Sequence, residues 1–207
     1  MSTSRTALYL IPLLLIAAAA GYMVSRLLAR DDAPRPPQVE TGTVLPRARA
    51  LPAFALTDHT GTPFDNARLA GQPSLVFFGF THCPDVCPTT LALMAQLLRD
   101  ERLSNLRPVF VTVDPDRDDQ TTMAQYVTTF DPRIVGVRGE EAALEPLLRG
   151  LGVAHAIVPL PGGGYTVDHS AALLYLNDRG HWSAAFTPPF DLPKLRQDLA
   201  TLMASGY

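Results

Sequence analysis

Ser74-Leu75-Val76-Phe77-Phe78-Gly79-Phe80-Thr81-His82-Cys83-Pro84-Asp85-Val86-Cys87-Pro88 is the stretch that decides the architecture. Residues 74–80 form a continuous, almost wholly apolar run, the pattern of a strand covered on both faces. The chain then turns. Pro84 and Asp85 suit the first turn of a helix, where a missing N–H costs little and a negative charge meets the positive end of the dipole. Cys87, Leu91, Met94 and Leu98 follow at i, i+4, i+7 and i+11, one face of a helix predicted over residues 84–99. A buried strand running into a helix marks the carboxyl end of an α/β sheet, where crevices open. The chain's two cysteines, Cys83 and Cys87, both stand there.

Outward from this junction, strands alternate with helices. Residues 54–56 and the turn Asp58-His59-Thr60-Gly61 suggest a small hairpin. A second buried strand is predicted over residues 108–113, helices over 119–130 and 140–149, and a short strand over 134–137 between them. Residues 173–176 and 182–186, joined by Asn177-Asp178-Arg179-Gly180, read as a hairpin, and residues 192–203 as a last helix. That order makes an α/β fold of the thioredoxin class, a mixed central sheet flanked by helices. Trp182 and the phenylalanines are assigned to its core. No internal repeat is visible.

The amino-terminal segment differs in kind. Residues 6–25 carry no charge between Arg5 and Arg26. At about 1.5 Å per residue they span roughly 30 Å, the thickness of a bilayer core. Ala17-Ala18-Ala19-Ala20-Gly21 offers a cleavage site for a signal peptide, but the apolar run exceeds the usual h-region, so one uncleaved transmembrane helix is expected over residues 1–28. Arg5 on one side and Arg26 and Arg30 on the other leave its orientation undecided. Residues 29–50, with Pro34, Pro36 and Pro37, read as a semi-extended linker, and residues 51–207 as the folded domain.

Composition narrows the function. Of 207 residues 17 are basic and 20 acidic, a formal net charge of −3, which excludes nucleic-acid binding by a broad basic surface. Two cysteines are too few for the staple framework of a small secreted fold. Asp114, Asp116, Asp118 and Asp119 imitate a calcium loop, but Asp119 sits where the loop needs Gly and Gln125 where it needs Glu. A turn, a helix cap and in part a docking surface are the expected roles. Gly162-Gly163-Gly164 lacks the Lys of a phosphate loop and reads as a flexible turn.

The cysteine pair carries the chemistry. Most free cysteines pack as small hydrophobes. Two of them one turn apart at a helix start, between Pro84 and Pro88, are hard to explain by packing alone. Side chains at i and i+4 have Cβ atoms about 5–6 Å apart, wider than the roughly 3.5–4.5 Å of a disulfide. A metal about 2.3 Å from each sulfur suits the wider gap. The spacing therefore leans towards metal without excluding reversible oxidation. A third ligand is required, with His59, His82, His155, His169 and His181 as the candidates.

At these residues the sequence resembles the Sco/SenC family of thioredoxin-fold copper proteins. Phe77 through Pro88 carry the core of the resemblance, with Val113-Asp114-Pro115-Asp116-Arg117-Asp118, Tyr126, Phe130 through Ile134, Val167-Asp168-His169-Ser170, Tyr175-Leu176 and Gly180. The resemblance implies that Cys83, Cys87 and His169 bind copper. Two thiolates and an imidazole suit Cu(I) in a three-coordinate site, and Cu(II) at neutral net charge. It further implies a membrane-anchored metallochaperone that delivers copper to the binuclear site of cytochrome c oxidase subunit II. The alternative is a thiol–disulfide oxidoreductase, with Cys83 attacking and Cys87 resolving, that keeps the target cysteines reduced. The implied setting is a single-pass protein of the inner membrane whose domain faces the periplasm, or the intermembrane space of a mitochondrion. There it would meet another copper donor or a thioredoxin-like reductant. Gln72, where Lys is common in the family, and the 159–164 stretch depart from the pattern.

Overall fold

A computed structural model describes residues 3–28 and 36–207, and within the first segment the side chains of residues 12–25. The chain divides into two units, residues 1–35 and Pro36–Tyr207. In the first, α1 (Thr3–Leu28) is one helix of 26 residues. Among the described residues no helix is long and apolar enough to cross a membrane. The membrane span expected over residues 1–28 is thus not found among them.

The second unit is built on an eight-stranded mixed sheet. Its strands are β1 (Gly42–Arg49), β2 (Ala55–Asp58), β3 (Pro63–Asp65), β4 (Ser74–Gly79), β5 (Arg107–Thr112), β6 (Val135–Arg138), β9 (Leu173–Leu176) and β10 (Trp182–Phe186). A separate two-stranded sheet holds β7 (His155–Pro159) and β8 (Tyr165–His169). The large sheet runs β1-β10-β9-β4-β5-β6-β2-β3. β4, β5 and β6 are parallel, joined by crossovers through α3 (Val86–Leu97) and α4 (Gln120–Phe130). The other pairings are antiparallel. The helices are completed by α2 (Asn66–Leu69), α5 (Glu141–Gly150) and α6 (Leu192–Ser205), with a 3-10 turn at Glu101–Leu103. This is the thioredoxin-like arrangement expected.

All six residues of β4 are buried, as its apolar run required. Phe77, Phe110, Leu91, Leu97 and Leu199 are wholly buried. Asp119 caps α4 by accepting from the Thr122 N–H at 2.7 Å, and Asp191 caps α6 through Lys194 N–H at 3.1 Å.

Within the second unit the structure departs from the sequence reading at three places. Gly42–Arg49, assigned to the linker, is β1, paired antiparallel with β10 along the sheet edge. Pro46 breaks the apolar pattern that would have announced a strand, and the register shifts across it, between Val44 and Arg49. The segment before it is held by Asp198 of α6, 2% exposed, which accepts from the N–H groups of Glu40 and Thr41 at 2.8 Å each and from Thr41 Oγ1 at 2.7 Å. Second, α3 starts at Val86, not residue 84, with Asp85 as N-cap making no side-chain cap bond. Third, the β7–β8 hairpin forms where only a flexible turn was expected. Its turn needs left-handed backbone at Gly163 (φ 90°) and Gly164 (φ 74°), which glycine supplies without strain.

Candidate metal centre

β4 delivers the chain to the site, and Asp118 shapes the turn that follows. This wholly buried carboxylate accepts from Thr81 N–H at 3.0 Å, Thr81 Oγ1 at 2.5 Å and Thr112 Oγ1 at 2.6 Å. It thereby ties residues 80–83 to the end of β5. Cys83 N–H closes the turn on the Phe80 carbonyl at 3.2 Å. His82 points away from the sulfurs, its Nδ1 3.1 Å from Thr81 Oγ1 and 3.7 Å from Asp118 Oδ1.

The missing side-chain cap on α3 has a chemical counterpart. The Cys87 N–H, one of the amides with no partner inside the helix, donates to Cys83 Sγ at 3.4 Å. Cys83 itself is half-buried, at the amino-terminal end of the helix. Cys87 is wholly buried, and burial pushes its thiol far up, against a lowering contribution from a Phe80 backbone hydrogen bond. A cation binding there reverses that balance, since a coordinated thiol gives up its proton. Cys87 Sγ reaches its position because residue 79 is glycine. A Cβ at that position would lie 2.6 Å from the sulfur and 2.9 Å from the Phe110 ring.

His169 ends β8, with its ring edge-on to Phe77 (5.9 Å between centroids) and Phe80 (5.8 Å). Its Nδ1 lies 3.1 Å from the Ser170 carbonyl, which can only accept, so Nδ1 holds the proton. Nε2 is left with its lone pair, 3.5 Å from Cys87 Sγ. Burial lowers the pKa of His169 and keeps the imidazole neutral, the ligating form. The three donor atoms of Cys83, Cys87 and His169 lie within 4.8 Å of one another. An ion about 2.3 Å from sulfur and 2.0 Å from nitrogen would hold such donors roughly 4 Å apart, a separation within the span of these three atoms.

The structure therefore brings together Cys83, Cys87 and His169, and leaves the other histidines outside the cluster. His59 is structural, its Nδ1 accepting from Gly136 N–H at 3.0 Å. His155 lies opposite His169 in the β7–β8 register but outside the donor group. His181 belongs to the β9–β10 turn, where its N–H donates to Asn177 Oδ1 at 3.1 Å. The four aspartates do not form one acidic face: Asp114 and Asp118 are buried, Asp119 is spent on α4, and Asp116 is exposed. Gly79 and the hairpin that carries His169 escaped the sequence reading. The hairpin's sequence sign is its turn glycines alone, Gly162-Gly163-Gly164, since residues 155–159 show no apolar–polar alternation.

Comparison with known proteins places these observations. The sequence model of the family described as SCO1/SenC matches residues 43–204. The protein named "Protein SCO2 homolog, mitochondrial" of Mus musculus is 42% identical over 132 residues, covering 61% of this chain and 52% of its own length. The match spans about half the length of such curated mitochondrial relatives. Bradyrhizobium japonicum ScoI, solved with copper bound, is 34% identical with a TM-score of 0.65, covering 76% of this chain and 100% of that one. Arabidopsis thaliana ScoI, also solved with copper bound, is 26% identical with a TM-score of 0.68, covering 72% and 94% respectively.

Proposed function

The chain belongs to the SCO1/SenC family, and from that premise we propose that it is a copper-binding metallochaperone whose ligands are Cys83, Cys87 and His169. The observation that carries this reading is the convergence of the three donors within 4.8 Å. Soft sulfur with one imidazole suits Cu(I), and three donors suffice for it. With two thiolates the Cu(I) site bears a net charge of −1 and lacks a fourth ligand. Cys83 and His169 are only partly buried, so an acceptor can enter and take the ion by ligand exchange. We infer that the acceptor is the binuclear copper site of cytochrome c oxidase subunit II. We infer also that residues 6–25, uncharged throughout, anchor the domain to the inner membrane on the periplasmic side.

A thiol–disulfide role is the second reading, favoured by the Cys87 N–H on Cys83 Sγ. In it the Cys83 thiolate attacks a target disulfide and expels one target thiolate. Cys87 then attacks the mixed disulfide, releasing the second target thiol and leaving a Cys83–Cys87 disulfide. The resolving sulfur is the wholly buried one, and the reaction gives His169 no part.

The two readings separate on the full chain, reduced, kept from oxygen and loaded with Cu(I). About one tightly held copper per chain is expected, with at least tenfold weaker binding in His169→Ala. Unchanged affinity in that variant would sink the ligand assignment. A chain that retains no copper, yet cycles its dithiol, would be the oxidoreductase.

A further inference from the structure

β8 belongs to a two-stranded sheet that shares no ladder with the large one. Backbone hydrogen bonding to the central sheet therefore does not fix β8, and side-chain ties fasten it instead. The densest set of ties converges on Arg117, in the loop after β5. Its Nη1 donates to the Tyr165 carbonyl at 3.1 Å, and its guanidinium lies 3.8 Å from the centroid of the Tyr165 ring. Nε donates to Asp114 Oδ2 at 2.5 Å, and Nη2 lies 2.5 Å from the same oxygen. The other oxygen, Oδ1, accepts from Tyr165 OH at 2.8 Å. Asp114 is 4% exposed, so this is a partly desolvated charge pair with both carboxylate oxygens engaged, more costly to break than a surface ion pair.

Tyr165 opens the strand that His169 closes. Arg117 also stands 5.7 Å from the Phe80 ring, the ring that meets His169 edge-on. It thus bears on His169 along the strand and across the aromatic wall, without belonging to the donor group.

We propose that Arg117 is a positioning residue for the metal centre: through Tyr165 and Phe80 it holds the His169 imidazole towards Cys87, and copper retention depends on it. The proposal rests on the reading of His169 as a ligand. Groups that orient a metal ligand change affinity by about 10–100-fold when removed, and that is the loss expected of Arg117→Ala.

A merely structural role would also weaken binding, so the test is a double-mutant cycle on the full chain. Cu(I) affinity is measured by competition with a chromophoric chelator in wild type, Arg117→Ala, His169→Ala and the double variant. If Arg117 acts through His169, its removal costs nothing further once His169 is gone. The Cu(II) absorption spectrum of Arg117→Ala should also shift towards that of His169→Ala. Tyr165→Phe keeps the stacked ring and loses only the bond to Asp114, so a smaller loss in the same direction is expected; this variant carries the cycle if Arg117→Ala does not fold. An unchanged affinity in Arg117→Ala, or an equal loss with and without His169, overturns the proposal. A His169→Ala chain that binds as wild type overturns the ligand reading and this proposal with it, a result distinct from the other two.

Discussion

Gly79 and Cys87 show how narrow the tolerances of the site are at the level of single atoms. The sulfur sits against the backbone of β4, in space that a methyl group would claim. Replacing Gly79 by Ala places a Cβ 2.6 Å from Sγ and 2.9 Å from Phe110, and neither neighbour has a free direction in which to retreat from a wholly buried position. Overpacking of this kind costs about 1–3 kcal/mol, or roughly 2–12 °C in Tm for a domain of this size. Because the atom displaced is a donor, copper affinity should fall as well. Calorimetry of the apo protein beside copper titration checks both. A Gly79→Ala chain with wild-type Tm and affinity would mean that the sulfur does not need that space. This constraint was hidden from sequence reading, since glycine at the end of a strand has several ordinary causes. The cysteines themselves were legible, because their signal is local: two soft side chains one turn apart at a strand–helix junction.

Among the elements, legibility follows the strength of the local pattern. β4 and β5 are covered on both faces and announce themselves as apolar runs, and α4 and α6 are framed by aspartate caps. β1 is an edge strand containing proline, and β7 and β8 flank a turn of three glycines, so none offers a clean alternation. The β2–β3 hairpin was foreseen from its turn residues, and its energetics are open to test. Burial alone would raise the Asp58 carboxyl. Hydrogen bonds outweigh it, from Thr60 Oγ1 at 2.6 Å, Thr60 N–H at 2.8 Å and Thr62 N–H at 3.0 Å, and the pKa is lowered. A carboxylate held below its unfolded value lends its full stability above about pH 4. That contribution is lost as pH falls, because the unfolded chain takes up a proton that the folded one resists. Asp58→Asn should therefore lower stability at pH 7 and flatten its decline between about pH 4 and 2. Denaturant midpoints measured across that range check it, and a decline as steep as wild type would show that other carboxylates govern acid unfolding.

For the molecule as a whole, the fold class was readable from the order of its elements, whereas the complete site was not. His169 lies 82 residues from Cys87, and nothing in its own neighbourhood distinguishes it from four other histidines. Only a resemblance spanning the domain singled it out, and only the tertiary structure explains its aim: a hairpin outside the main sheet, fastened by Arg117, Asp114 and Tyr165.

The grip of Asp198 on Glu40 and Thr41 can also be read as a length. If residues 1–28 hold the membrane, the folded domain begins where this carboxylate takes hold. Undoing that grip would release residues 36–41, about 20 Å when extended. Asp198→Ala would then let the domain stand farther out without altering a copper ligand. Trp182, the single tryptophan of the chain, offers the gauge: energy transfer from it to an acceptor in the lipid headgroups should drop in the variant, with copper stoichiometry unchanged. Equal transfer in both proteins would mean that the reach is fixed elsewhere. One buried carboxylate on the last helix would thus decide which acceptors lie within range of the metal.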